Sequence, residues 1–303
     1  DRHALVTRNN PEVTAMDSLS SLSVGNGEFA YTVDATGLQT FPEVYKNGVP
    51  LGTQSQWGWH SFGNPENYKP EEALVEYDFG HGHKELYATQ PKEPGRAKEA
   101  SDWYRVNPHR LHLGIIGLEL GNEVRPSDVQ NIQQSLDMWN GIINSRFTLK
   151  ETPYYIQTVC HPERDMIAAR LSARQPASIK FHFPYPTGGH CDDACNWEAN
   201  DKHSTTLISE DAQSAVLKRT LDATTYYVTI SWEGPAKLSE KSANYFVLTP
   251  TDSIFTFTCQ FTPQVSASPI LTFTEVQQVS SGHWKITGHR ELLPTSHNVL
   301  MSG

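Results

Sequence analysis

The sequence is poor in cysteine, in long apolar runs and in basic charge, and each shortage excludes a class of protein. Its 303 residues contain four cysteines, too few to build a disulfide scaffold. No run of about 18 apolar residues is present that could cross a membrane. The 24 Lys and Arg residues against 34 Asp and Glu give a net charge of −10. A nucleic-acid binder would carry a basic patch, so we predict neither a nucleic-acid nor a membrane partner.

Signatures of several enzyme classes are also missing. There is no G-x-S-x-G motif, no P-loop and no dinucleotide-binding glycine pattern. We therefore predict no cofactor. The first residues lack the charged-then-apolar pattern of a signal peptide and an initiator Met, which indicates a processed or trimmed chain.

The cysteines fall into two pairs with different surroundings. Cys160 and Cys259 lie in apolar alternating runs and are predicted to be buried as small hydrophobes. Cys191 and Cys195 flank a short polar segment and could close a small disulfide ring. An even count of cysteines is compatible with an exported protein, so we expect a periplasmic or extracellular location.

A zinc site is the alternative for the second pair. His190, Cys191, Cys195 and His203 follow one another at H-C-x3-C-x7-H spacing. Structural zinc sites combine two close cysteines with a second, separate ligand pair, which the two histidines do not form. A local disulfide or free thiols are therefore favoured, and no metal is predicted.

Short runs of alternating apolar and polar residues recur along the chain between clusters of Gly, Pro, Asn and Asp. Such runs are typical of antiparallel strands. Asn140-Gly141 between apolar runs indicates a hairpin with a type I′ turn, which needs a positive φ at both central residues. The strands are predicted at residues 30–34, 38–41, 110–116, 154–159, 179–183, 225–232, 245–248 and 253–258.

Helical patterns are rare. Residues 127–136 have apolar positions at helical spacing and predict a short helix or the entry to a strand. Residues 93–104 are highly charged and are predicted as an exposed loop with at most one turn. We therefore predict an all-β, predominantly antiparallel fold, a large two-sheet sandwich with few short helices.

The stretch from residue 22 to 62 contains the candidate binding residues. Trp57, Trp59 and His60 lie in a glycine-bounded loop, where tryptophan rings pack on a sugar face, on another domain or on their own core. Asn26 in a Gly-Asn-Gly turn and Gln39 in an alternating run carry amides that could bond sugar hydroxyls. The alternatives are turn chemistry at Asn26 and an outward strand position at Gln39.

A small basic cluster follows further along the chain. Arg105, His109 and Arg110 lie close to Trp103 and Tyr104. The cluster could hold phosphate, and surface charge pairing is the alternative.

Three blocks of sequence carry a resemblance to a known family. VGNGEFA, TGLQTF and QWGWHSF follow one another within residues 24–62, residues 134–147 read QSLDMWNGIINSRF, and residues 158–170 read TVCHPERDMIAAR. Together they resemble the N-terminal region of bacterial and fungal glycoside hydrolases related to the maltose phosphorylase type, which is family 65-like.

The resemblance implies a galactose mutarotase-like β-super-sandwich over residues 1–285. In the family this domain precedes an (α/α)6 barrel, which carries the catalytic carboxylates and the phosphate site. The resemblance therefore implies that the catalytic residues lie outside this chain. Residues 286–303 depart from the family pattern and are predicted as a C-terminal tail or the start of a linker.

Three functions are compatible with these observations. The first is the N-terminal non-catalytic domain of a glycoside hydrolase, whose partners are a carbohydrate and the (α/α)6 catalytic domain of the same parent protein. The second is a free-standing carbohydrate-binding module, which predicts sugar binding that is lost on Trp57→Ala or Trp59→Ala. The third is a mutarotase-like enzyme with a histidine and a carboxylate as base and acid, for which His60, His112 and His182 are the candidate bases.

Overall fold

Nine antiparallel strands form one large sheet. The computed structural model describes residues 1–189, 194–266 and 269–289. Alternation of buried and more exposed residues, as in TTYYVTISWE at Thr224–Glu233, matches the period of two that a half-buried strand requires. In spatial order the strands are β1 (Glu12–Val13), β10 (Val129–Asp137), β11 (Ile142–Leu149), β12 (Thr152–Cys160), β13 (Met166–Ala173), β22 (Ile254–Thr262), β19 (Thr224–Glu233), β18 (Ser214–Leu221) and β17 (His203–Glu210).

Two smaller antiparallel sheets form the opposing layer. Gln39 links them, because its backbone N–H donates to Ile116 O (2.8 Å) while its side chain donates to Thr32 O (3.0 Å). The predicted strand at residues 38–41 is wrong, since this buried segment crosses between the sheets without joining either. The sheets are β2 (Leu22–Gly25), β3 (Phe29–Val33) and β4 (Thr53–Ser55), and β20 (Ala236–Ser242), β21 (Tyr245–Pro250), β14 (Ile179–His182) and β9 (Ile115–Leu118).

One hydrophobic core fills the space between the layers. Stacked rings of Phe29 and Phe261 lie 5.9 Å apart, and the rings of Phe181 and Phe257 meet edge to face at 6.0 Å. Each pair joins the large sheet to a sheet of the opposing layer, and edge-to-face and offset pairs are favourable ring geometries. The prediction of an all-β, predominantly antiparallel sandwich is confirmed.

Three two-stranded ribbons lie outside these sheets. They are β5 (Trp59–His60) with β8 (His109–Arg110), β6 (Leu74–Asp78) with β7 (Lys84–Ala88), and β15 (Tyr185–Pro186) with β16 (Cys195–Asn196). The predicted strand at residues 110–116 is interrupted between β8 and β9. There Leu111 N–H donates to Gly58 O (2.9 Å), Leu113 N–H donates to Thr53 O (2.8 Å), and Gly114 has a φ of 135°.

Four α-helices occur in the described residues: α1 (Arg2–Thr7), α2 (Pro42–Tyr45), α3 (Arg96–Val106) and α4 (Phe273–His289). The prediction of a loop at residues 93–104 is wrong, because α3 forms there. The sequence of α3 shows no apolar stripe at helical spacing, because only Ala100 and Ser101 of this helix are buried. A Lys98–Asp102 ion pair at i, i+4 spacing supports the exposed face.

The helix alternative at residues 127–136 is also wrong, and the strand alternative is confirmed. A short 3₁₀ turn at Pro126–Asp128 leads into β10. The register of β10 shifts between Gln130 and Gln133, and Asn131 has a φ of 54°. This bulge adds one residue to the strand, so Val129 and Ile132 both face the core although they are three positions apart.

The hairpin predicted at Asn140-Gly141 joins β10 to β11, but its turn is not type I′. Only Gly141 of the two residues has a positive φ, of 64°. A Cβ at Gly141 would lie 2.1 Å from the indole of Trp284, so α4 packs directly over this turn. Glycine is required here both by its φ and by the close approach of α4.

Helix α4 also crosses the predicted boundary at residue 285. It packs on the outer face of the large sheet, where Phe273 and Val276 meet Ile142, Val159 and Met166. Residues 290–303 lie outside the described residues, and the proposed domain boundary stays a prediction. No helix in the described part of the chain has the length and apolar composition to cross a membrane.

Candidate functional site

A groove of about 650 Å³ runs between the two smaller sheets. Lys180 and His182 alternate on β14 and therefore point to the same side. Arg110, His112 and Trp197 line the groove from outside these sheets. Aromatic, cationic and imidazole side chains thus converge on one concave surface, the usual form of a small-molecule site.

His182 is the histidine of this groove whose ring nitrogens are uncommitted. Its ring lies 4.8 Å from that of Trp197 and 4.9 Å from that of Tyr245. In the part of the chain that the structure describes, neither ring nitrogen has a hydrogen-bond partner. Burial, assisted by the charges of Lys180 and Arg219, lowers the pKa of His182 to about 4. At neutral pH it presents one donor and one acceptor without charge.

His112 is committed to the backbone. Its Nδ1 lies 3.2 Å from the N–H of Gly114 and its Nε2 lies 3.1 Å from the carbonyl of Leu51. The first nitrogen must accept and the second must donate, so the ring is held as one neutral tautomer. It packs edge to face against Trp197 at 5.7 Å. His112 therefore supports the tryptophan and is not placed as a base.

The predicted Trp59–His60 pair lies on the β5–β8 ribbon and faces two directions. Register pairs Trp59 with Arg110 and His60 with His109. On the outer face the Arg110 guanidinium lies 4.1 Å from the centre of the Trp59 ring, a cation–π contact at the rim of the groove. Trp59 is 46% exposed and His60 is buried. The three residues of the predicted basic cluster are also separated. Arg110 lies on the outer face of the ribbon and His109 on its inner face, whereas Arg105 lies on α3.

On the inner face of the ribbon, His60 belongs to a polar array that is buried at His60 and reaches solvent at Asp222. Its Nδ1 lies 3.1 Å from His109 Nε2, and its Nε2 lies 3.0 Å from Asp222 Oδ2. His109 Nδ1 lies 2.7 Å from the carbonyl of Val106, and Tyr185 donates to Asp222 at 2.7 Å. Burial lowers the pKa of both imidazoles. The array joins the ribbon to the β18–β19 turn, which contains Asp222.

Trp57 is not among the described residues that line the groove. Its indole N–H donates to Asp165 Oδ2 at 2.6 Å, and its ring packs 5.9 Å from Tyr226. The side chain therefore fixes the loop to the large sheet, in agreement with the packing alternative for this tryptophan.

Asn26 and Gln39 use their amides within the protein. Asn26 Oδ1 accepts from Glu28 and Phe29 N–H groups, which is the turn chemistry given as its alternative. Gln39 is fully buried, and its oxygen accepts from Ile116 N–H at 3.1 Å. The outward strand position expected for Gln39 is wrong, because its amide ties the two smaller sheets together.

Arg219 is a buried cation that the sequence patterns did not indicate. Its guanidinium donates to Asn244 Oδ1 (2.9 Å), Pro184 O (3.1 Å) and His203 Nδ1 (2.7 Å). A guanidinium can only donate, so His203 must accept through Nδ1. Burial and the Arg219 charge lower the pKa of His203 to about 4. This network fixes the backbone at Pro184, two residues after the groove residue His182.

The cysteine predictions have different outcomes. Cys160 and Cys259 are buried thiols, as expected, and burial raises the pKa of each. His190 and Cys191 lie outside the described residues, so the local disulfide and its zinc alternative stay predictions.

Comparison with known proteins finds similar solved structures, among them a phosphorylase, a glucoamylase and a glucanotransferase. No family model matches the chain, and no curated protein matches it. A protein assigned as a kojibiose phosphorylase from human microbiome shares 8% identity at a TM-score of 0.41, over 89% of this chain and 33% of that one. A bacterial glucoamylase crystallised with acarbose shares 9% identity at a TM-score of 0.37, over 54% of this chain and 29% of that one.

The third similar structure is a 4-alpha-glucanotransferase from Thermococcus litoralis, with 13% identity and a TM-score of 0.25 over 84% of this chain and 40% of that one. The chain thus spans 29–40% of the length of these proteins. All three TM-scores lie below 0.5, and the function is therefore argued from the groove.

Proposed function

We propose that the chain is a non-catalytic carbohydrate-binding domain of a glycoside hydrolase. In this proposal the groove contacts a saccharide, and bond cleavage belongs to an (α/α)6 barrel elsewhere in the parent protein. The parent enzyme acts in the periplasm or outside the cell. The barrel and the location come from the sequence resemblance and the cysteine pattern, whereas the binding role comes from the groove.

The observation that carries the proposal is the groove's pairing of an aromatic ring with uncommitted polar groups. A saccharide presents apolar C–H faces and a rim of hydroxyl groups. Trp197 is half-buried beside His182, so a sugar ring could pack against the indole while the neutral imidazole meets a hydroxyl. Lys180 and Arg110 supply further donors on the same surface.

The composition of the groove supports a non-catalytic role. Glycoside cleavage uses two carboxyl groups on either side of the scissile bond. Among the described residues that line the groove, Glu43 is the only carboxylate. His182 has a pKa of about 4, so it is a weak base at neutral pH and a poor candidate for the base of a mutarotase-like enzyme.

Calorimetry with oligosaccharides of glucose, rhamnose, fucose and galactose tests the proposal, with hydrolysis assayed in the same tubes. We expect binding without turnover, and at least a tenfold loss of affinity for Trp197→Ala. Trp103→Ala is the matched control, because Trp103 lies on α3 and is not part of the groove. Its affinity should equal that of the unmodified chain.

Each other outcome selects a different function. Turnover by the chain alone would refute a non-catalytic role. Silence in both assays, for this neutral panel and for acidic oligosaccharides alike, would remove the binding role and leave a domain that only supports the barrel. If Trp57→Ala abolished binding and Trp197→Ala left it intact, the sugar would bind at the predicted loop of Trp57 and Trp59 and not in the groove.

A further inference from the structure

The described lining of the groove is richer in cations than the chain as a whole. Asp and Glu outnumber Lys and Arg by 34 to 24 over the whole sequence. The described lining of the groove contains Lys46, Arg110 and Lys180 and one carboxylate, that of Glu43. Lys46 has an interaction partner of its own. Lys180 and Arg110 are therefore the cations that an anion in the described part of the groove would meet, and a concave surface concentrates their field.

Lys180 is the most informative of these cations. Its ammonium donates to the carbonyl of Thr40 at 2.8 Å, and within the described residues it has no other hydrogen bond and no ion pair. Burial lowers the pKa of Lys180. The carboxylates of Glu43, Asp34 and Glu119 act in the opposite direction and raise it, from beyond contact distance. Burying a cation without a contacting anion costs free energy. An ammonium group has three hydrogens, and two of those of Lys180 have no acceptor among the described residues.

Arg110 adds a second, fixed cation. One of its terminal nitrogens, Nη1, donates to the carbonyls of Ser55 and Gln56, each at 2.9 Å, and the guanidinium plane rests on Trp59. Among the described residues, its Nε and Nη2 have no hydrogen-bond partner. The side chain is therefore held in place while part of its donor set stays available, which is the arrangement that recognises a planar or tetrahedral oxyanion.

We propose that the groove binds a saccharide carrying an anionic group, with the anion held between Lys180 and Arg110 and a sugar ring packed on Trp197. This inference rests on the proposed carbohydrate-binding function. The shared chemistry is a negatively charged oxygen cluster, which a hexuronic acid supplies as carboxylate and a sulfated sugar supplies as sulfate ester.

The test is calorimetry on the full chain with three galactose-based oligosaccharides of equal length: neutral galactan, oligogalacturonate and sulfated galactan. We expect an acidic ligand to bind at least tenfold more tightly than the neutral one. The preference should fall as NaCl is raised from 50 to 500 mM, because added salt screens the charges. The tighter of the two acidic ligands identifies the source of the anion.

Variants locate the anion. Lys180→Met should lower the affinity for the acidic ligand to nearly that for the neutral one. Arg110→Gln should reduce the preference for the acidic over the neutral ligand. Lys237→Met is the matched control, because Lys237 is an exposed lysine of β20 in the same four-stranded sheet as Lys180. The salt dependence of the unmodified chain tests the inference even where a variant fails to fold.

The outcomes separate this inference from the one on which it rests. Equal binding of neutral and acidic ligands would overturn the anionic preference and keep the saccharide site. A preference that Lys180→Met leaves unchanged would overturn the placement of the anion. Failure of all three ligands and of the neutral panel would overturn both proposals.

Discussion

At the scale of single residues, buried histidines couple stability to pH. His182 and His203 have a folded-state pKa of about 4, against about 6.5 in an unfolded chain. Between these values the unfolded chain binds more protons than the folded one. The contribution of each neutral histidine to the free energy of unfolding is therefore fully present above about pH 6.5, and it is lost as the pH falls towards 4.

We expect His182→Gln to flatten this dependence. Between pH 7 and pH 5 the loss in free energy of unfolding should be about 2 kcal/mol smaller than for the unmodified chain. Urea unfolding at the two pH values measures the difference. His83→Gln is the control at an exposed position. Parallel pH profiles for His182→Gln and the unmodified chain would contradict the assignment.

The sequence indicated only part of the site at this scale. Trp59 and His60 are predictable as candidates because two tryptophans in a glycine-rich loop are locally unusual. Trp59 does not line the groove itself, but it packs against Arg110, which does. Lys180 and Trp197 carry no local signal, because one is an alternating strand residue and the other is in a loop. Their meeting depends on β3, β14 and the chain after β16 coming together, which no short window of sequence contains.

At the scale of elements, α4 depends on its buried face. Val276 is fully buried against the outer face of the large sheet, and Val279 on the same helix is 44% exposed. Val276→Ala should lower the free energy of unfolding by about 2 kcal/mol, because it removes buried methyl groups and leaves a cavity. Val279→Ala is the same substitution at an exposed site and should change it by less than about 0.5 kcal/mol.

Urea denaturation of the two variants measures this contrast. Equal losses of stability would mean that α4 does not pack on the sheet as described.

Element prediction failed where a local pattern has two structural meanings. Apolar residues three positions apart indicate a helix, yet in β10 the bulge at Asn131 gives the same spacing to a strand. α3 shows the reverse case, because a helix that buries only two small residues has almost no apolar stripe. The long alternating strands were predictable because both of their neighbours in the sheet are strands of the same kind.

At the scale of the whole molecule, one core makes the sandwich a single cooperative unit. A continuous cluster of buried residues extends from Val13 to Phe261 and includes strands of the nine-stranded sheet and of both smaller sheets. We therefore expect one unfolding transition in urea, with coincident curves from tryptophan fluorescence and far-UV circular dichroism. Two separated transitions would show that the smaller sheets unfold independently of the nine-stranded sheet.

The all-β class was predictable because it follows from residue type and period alone. The division of the opposing layer into two sheets was not predictable. The two sheets are bridged by Gln39, whose burial and bonds to Thr32 and Ile116 appear only after distant strands are in place.

The array of His60, His109 and Asp222 has a consequence for proton number. Its three contacts run from the Val106 carbonyl through two imidazoles to a carboxylate, and each contact needs one hydrogen. Two neutral imidazoles carry only two such hydrogens. All three contacts are hydrogen bonds together only when the array holds one additional proton. The number of bound protons therefore decides how the β5–β8 ribbon is attached to the β18–β19 turn. With three hydrogens in the array all three contacts are hydrogen bonds, and with two hydrogens one contact is left without a hydrogen bond.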